Sequence, residues 1–128
     1  MFTFTFDSHA GILRLRCAGK WTLPDVERYG PEAGRQFTQA RLTARRLRLL
    51  IDVTEQEILS QDVVEPLARA GMQHGRADDR VALVVTSTLM KLQMKRMIGD
   101  APTPIYLSES EALAWLSRPD ETASLASA

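Results

Sequence analysis

Apolar and polar positions alternate strictly at the start of the chain. Phe2, Phe4 and Phe6 fall on one side, and Thr3, Thr5 and Asp7 on the other. Period two describes a half-buried strand, here with three aromatics on its inner face. Asp7-Ser8-His9-Ala10-Gly11 supplies turn residues. A second strand follows from Gly11 to Cys17, with Leu13, Leu15 and Cys17 on one face and Ile12, Arg14 and Arg16 on the other. So short a turn makes the two strands an antiparallel hairpin. The period changes after Gly19. Thr22 offers a cap, Pro24 suits a first helical turn, and Asp25 complements the positive end of a helix. Val26, Tyr29, Ala33, Phe37 and Ala40 then share one helical face. Gly30-Pro31 interrupts them, and an interior proline removes a hydrogen bond and crowds the preceding turn. A kink or restart is expected there, with the main helix running from Pro31 to Thr43.

Leu47 to Val53 is nearly unbroken apolar sequence and too short for a good helix. Strands covered on both faces, the parallel kind, read this way. A polar loop, Thr54 to Gln61, leads into a helix that Ser60 or Asp62 caps; Asp62 and Glu65 have capping-box spacing. Pro66 suits only the start of a helix, so the regular part is expected to begin near it. Val63, Val64, Leu67, Ala68, Gly71 and Met72 form its apolar stripe, and His74-Gly75 ends it. Val81 to Val85 is a second covered strand. Thr86, Ser87 and Thr88 offer capping hydroxyls for a helix from Leu89 to Ile98, expected to bury Leu89, Met90, Met94, Met97 and Ile98. Pro104 to Leu107 is a short strand with edge character. Ser108 to Glu111 is a capping box opening a last helix, Glu109 to Leu116, with Ala112, Leu113, Trp115 and Leu116 facing inward.

The order is β-β-α-β-α-β-α-β-α. It predicts an α/β domain with a mostly parallel sheet, right-handed crossovers and an N-terminal antiparallel hairpin. One domain is expected over residues 1–117, with the small, polar stretch 118–128 as a flexible C-terminal tail.

Composition narrows the function more than the fold. The chain has 128 residues, 16 basic and 16 acidic, and a formal net charge of zero. It therefore lacks the general attraction for nucleic acid or an acidic membrane that an excess of lysine and arginine would give. No apolar run approaches the ~18 residues of a membrane span, and the N-terminal residues do not read as a signal peptide. The single cysteine, Cys17, rules out an internal disulfide framework and fits a reducing, cytoplasmic setting.

Four segments carry a family resemblance: Leu15-Arg16-Cys17-Ala18-Gly19-Lys20-Trp21-Thr22 leading to Asp25-Val26; Leu47-Arg48-Leu49-Leu50-Ile51-Asp52-Val53-Thr54; Asp79-Arg80-Val81-Ala82-Leu83-Val84-Val85; and Glu111-Ala112-Leu113-Ala114-Trp115-Leu116. Together with the element order, they resemble the STAS domain of anti-sigma-factor antagonists, and more closely the SpoIIAA-like (STAS/SEC14-like) single-domain proteins. The resemblance implies a small, non-enzymatic cytosolic regulatory or protein-interaction module, often a homodimer. In true antagonists a serine in an Asp-Ser-Ser-Gly pattern, at the start of the helix after the third strand, is phosphorylated. The corresponding place here is Leu59-Ser60-Gln61-Asp62. Ser60 is thus the candidate phospho-acceptor, while the preceding Asp, the paired serine and the glycine of the pattern are absent.

Other candidate chemistry is sparse. Asp52, Thr54, Thr86, Ser87 and Ser108 come from the C-terminal ends of three strands, where open α/β sheets bind ligands. They form a candidate rim for a small apolar or carboxylate-bearing ligand, or else each caps its own loop. Met90, Met94 and Met97 could line an apolar pocket, although a stripe at helical spacing is ordinarily core. Arg41, Arg45, Arg46 and Arg48 read either as a phosphate patch or as a solvated helix end. His9, His74 and Cys17 have neither metal-ligand spacing nor the makings of a nucleophile–base pair. No P-loop, GxGxxG or GxSxG occurs. No enzyme activity, metal or cofactor is therefore expected.

Overall fold

The computed structural model of the protein describes residues 1–119. The predicted tail, 118–128, lies outside them from residue 120 onward. Five strands, β1 (Phe2–Asp7), β2 (Ile12–Gly19), β3 (Arg48–Gln56), β4 (Arg80–Val84) and β5 (Ile105–Tyr106), form one sheet in the order β1-β2-β3-β4-β5. The β1–β2 hairpin is antiparallel, pairing Phe2 with Cys17 and Phe6 with Leu13. All later pairs are parallel. Four helices complete the described residues: α1 (Leu23–Thr43), α2 (Gln61–Gln73), α3 (Thr88–Ile98) and α4 (Glu109–Leu116).

The strand alternation read from the sequence decides the layers. Leu13, Leu15, Cys17, Leu49, Val53, Leu83 and Val85 face α1, α2 and α3 in the larger core. Ile12, Leu50, Ala82 and Val84 face the other way and meet Ala112 and Leu116 of α4 in a second, smaller core. Three helices thus cover one face and a single short helix part of the other. Phe2, Phe4, Trp21, Tyr29 and Phe37 make a chain of stacked and edge-on rings where the hairpin meets α1.

Several boundaries differ from the sequence expectation. α1 does not restart at Pro31; it runs unbroken from its capping box, in which Asp25 N–H donates to Thr22 Oγ1 and Thr22 N–H to Asp25 Oδ2. Pro31 and Glu27, whose carbonyl loses its partner, both lie on the solvent side, where the carbonyl is open to water. α2 likewise begins ahead of Pro66. β3 extends through Thr54, Glu55 and Gln56, because Ala18 and Gly19 continue β2 beside Glu55 and Gln56 after an irregularity at Cys17. Leu89 is 62% exposed rather than buried; Met90 and Met94 hold the inward face of α3.

Buried polar contacts fasten the periphery. Arg41 Nη2 donates to Asp79 Oδ2 at 2.6 Å and to the His74 carbonyl, tying the end of α1 to the connection between α2 and β4. Arg80 donates to the carbonyls of Arg118, Pro119 and Trp115 and lies over the Trp115 ring. It thereby satisfies carbonyls at the negative end of α4.

Candidate functional site

The candidate rim is spent on local structure. Asp52 Oδ1 accepts from the N–H and hydroxyl of Thr54, at 2.9 and 2.6 Å, and Asp52 Oδ2 faces Arg16 at 3.5 Å. Thr86 donates to the Thr54 carbonyl. Ser87 caps α3 by accepting from Met90 N–H. Ser108 caps α4, accepts from Glu111 N–H and shares a hydrogen bond with Ser110. Asp52, Thr54 and Thr86 come together at the ends of β3 and β4. Ser87 and Ser108 each serve their own helix. The physical reason is the strand order. A ligand crevice at strand ends forms where the order reverses, and here it runs in one direction throughout. Ser60 stands at the N-cap of α2, exposed, with its hydroxyl donating to Asp62 Oδ1 at 2.6 Å rather than accepting from the helix. No group of three or more potential metal ligands occurs among the described residues.

The concavity lies elsewhere. Between the sheet and the underside of α2 and α3 runs an apolar cavity of about 410 Å³, within the range of small-molecule sites. Leu15, Leu49, Val53 and Leu83 floor it; Leu67, Met94 and Met97 roof it. It exists because α2 does not settle on the sheet: of its six-residue apolar stripe only Val63 is buried. The loop before α2 is held to α3 instead, by Gln93, whose side chain bonds both the N–H and the carbonyl of Leu59 at 2.9 and 3.0 Å. That clamp lies at the C-terminal ends of the strands, on the side of Trp21 and Gln56, both buried. The exposed lining residues, Gly71, Met72, Gly75, Arg76, Ala77, Ala101 and Pro102, belong to the end of α2 and the connections ahead of β4 and β5. The mouth therefore opens at the N-terminal ends of the parallel strands, opposite the rim read from the sequence. Of the methionine stripe, Met94 and Met97 line this cavity and Met90 does not; those two were the one signal for it. Trp21 and Asp79, which also line it, carried none.

Burial sets the chemistry of the lining. It pushes the Cys17 thiol up to about 12, and a smaller lowering by the N-terminal ammonium does not offset this. Burial likewise raises the Tyr29 phenol. Both stay protonated and neutral at physiological pH. The thiolate is the reactive form of cysteine. Iodoacetamide at mildly alkaline pH is therefore expected to leave Cys17 unlabelled in the folded protein and to modify it fully in denaturant. Mass spectrometry showing rapid native labelling would refute this.

No protein-family model matches the chain, and no curated protein matches it by sequence. Solved structures do match. An uncharacterised protein of the DUF3478 family from Shewanella loihica, with a SpoIIAA-like fold, superposes with a TM-score of 0.68 at 22% identity, over 91% of this chain and 92% of that one. The fold is SpoIIAA-like. An anti-sigma factor antagonist from Mycobacterium paratuberculosis follows with a TM-score of 0.64 at 16% identity, over 92% and 96% of the two chains. An anti-sigma-factor antagonist (STAS) domain protein from Planctomyces limnophilus gives 0.63 at 19%, over 91% and 98%. The SpoIIAA-like architecture thus spans nearly the whole chain, as its element order led one to expect. No helix among the described residues is long and apolar enough to cross a membrane.

Proposed function

We propose that this domain is a non-enzymatic regulatory module that acts by binding a protein, a second copy of itself included, in the cytoplasm. The observation that carries this reading is the fold shared with two anti-sigma-factor antagonists over more than 90% of each chain. Ser60 is its candidate switch. A phosphate there would meet the free N–H groups and positive end of α2, against repulsion from Asp62, which the hydroxyl now contacts. Light scattering across a concentration series tests self-association: a strict monomer at the highest concentration removes it. Phosphate on Ser60 in protein isolated from its own host supports the switch, and a Ser60→Ala variant that regulates normally removes it.

A second reading is favoured by the cavity: the domain carries a small, largely apolar ligand between the sheet and α2–α3. Native mass spectrometry of protein from its own host is the test. A retained organic molecule supports carriage. A clean apo mass, with no thermal shift across a panel of apolar compounds, counts against it.

A further inference from the structure

Among the described residues, two buried side-chain polar atoms find no partner in the protein: Trp21 Nε1 and Asp79 Oδ1. Both residues line the same cavity. Trp21 is 2% exposed, and the Asp79 side chain 6%. Buried polar atoms are paired in the great majority of proteins, and an orphan points to a missing partner. These two are complementary in kind, since the indole N–H can only donate and the carboxylate oxygen can only accept.

They also stand far apart along the cavity. The Trp21 ring stacks on Phe2, which pairs with Cys17, beyond the level of Asp52. Asp79 adjoins Arg80, whose N–H bonds the Leu47 carbonyl. At ~3.3 Å per strand residue the two levels are separated by more than ~15 Å. Trp21 sits at the closed end and Asp79 at the mouth.

The surroundings restrict what each atom accepts. The closed end is lined by Cys17, Trp21, Tyr29, Val53 and Gln56, none of them charged. Gln56 Nε2 has only the Met90 sulfur, at 3.9 Å, as acceptor, a weak one. An anion there would give up its hydration with only the exposed N-terminal ammonium, bonded to the Ala18 carbonyl, for a counter-charge, at high cost, whereas a neutral oxygen can accept from Trp21 Nε1. At the mouth Asp79 Oδ2 already takes Arg41 and the Arg76 N–H, leaving Oδ1 to seek a donor. Arg76 adds a solvent-exposed cation.

We propose that the cavity takes an elongated molecule with an apolar body, a neutral hydrogen-bond acceptor at its inner end facing Trp21 Nε1, and a hydroxyl at its outer end facing Asp79 Oδ1. The proposal rests on the reading of the cavity as a ligand site and specifies its chemistry. A fatty carboxylate fits worse than a chain with a hydroxyl at each end, because its charge is poorly compensated inside and at the mouth it has no proton to donate to Asp79 Oδ1.

Three probes test it: dodecane-α,ω-diol, dodecanol and dodecanoate, titrated against the intact chain. Hydrophobicity alone ranks dodecanol above the diol. The proposal reverses that order, with the diol about tenfold tighter, since each hydrogen bond to a buried orphan contributes a factor of this order. The diol should move the Trp21 indole N–H resonance and leave that of Trp115 in place. Trp21→Phe keeps the ring and removes the N–H. It should erase the diol's advantage while dodecanol affinity stays. Its unfolding midpoint verifies that it folds, and the wild-type resonance shift is independent of it. If dodecanol binds as tightly as the diol and Trp21→Phe changes nothing, the proposal falls and the carrier reading stands. If none of the three binds, both fall.

Discussion

Leu50→Ala is expected to destabilise the protein by about 3 kcal/mol, lowering the thermal midpoint by roughly 10 °C. Leu50 is fully buried in the smaller core, where it meets Ile12, Val84, Ala112 and Leu116. Removing its branch leaves a void that the backbone of a central strand cannot close, so the cost is the lost transfer free energy plus the cavity. The informative comparison is its neighbour. Leu49 is 3% exposed yet lines the existing cavity, so part of its surface has no partner atoms to lose. Leu49→Ala should cost roughly 2 kcal/mol or less, close to the transfer contribution alone. Urea midpoints for both variants decide the matter. An equal or larger loss at Leu49 would mean that α2 and α3 press on the sheet as closely as α4 does.

The second large effect belongs to Asp79. Asp79→Ala removes the carboxylate that Arg41 and the Arg76 N–H share, leaving a guanidinium only 13% exposed without its counter-charge. Breaking a buried pair from one side costs about 3–5 kcal/mol, much of it the penalty of the charge left behind. The exposed Arg35–Glu32 pair on α1 is the control: Glu32→Gln should leave the midpoint unchanged within error, because solvent screens such pairs. Thermal unfolding of the two variants side by side would sink the argument if they behaved alike.

The fold could be read from the chain because its strands differ from its helices in period. The unbroken runs at Leu47–Val53 and Val81–Val85 and the alternation of Phe2, Phe4 and Phe6 each admit one assignment. The cavity could not be read in the same way. The α2 stripe from Val63 to Met72 reports which face is apolar, and periodicity carries no measure of how closely that face approaches its neighbour. The polar residues at the strand ends are legible only as to place, for a related reason. Asp52, Thr54, Ser87 and Ser108 stand where expected, but whether such groups converge on a ligand depends on strand order, which local sequence does not state. Pro31, exposed, and Pro66, half-buried, misled because both sit inside helices where the surrounding tertiary structure outweighs the local penalty.

The unidirectional strand order has a consequence for how the chain comes to be folded. Each new strand adds beside the strand made just before it, so no pairing waits for a distant segment. Pairing between sequence neighbours lowers the loop-closure entropy that precedes each contact and favours rapid folding. On the ribosome, the hairpin emerges before β3 and presents to it the free edge of β2, and β3 in turn presents an edge to β4. The nascent domain can therefore grow as a series of half-finished sheets, each one lacking only its newest edge.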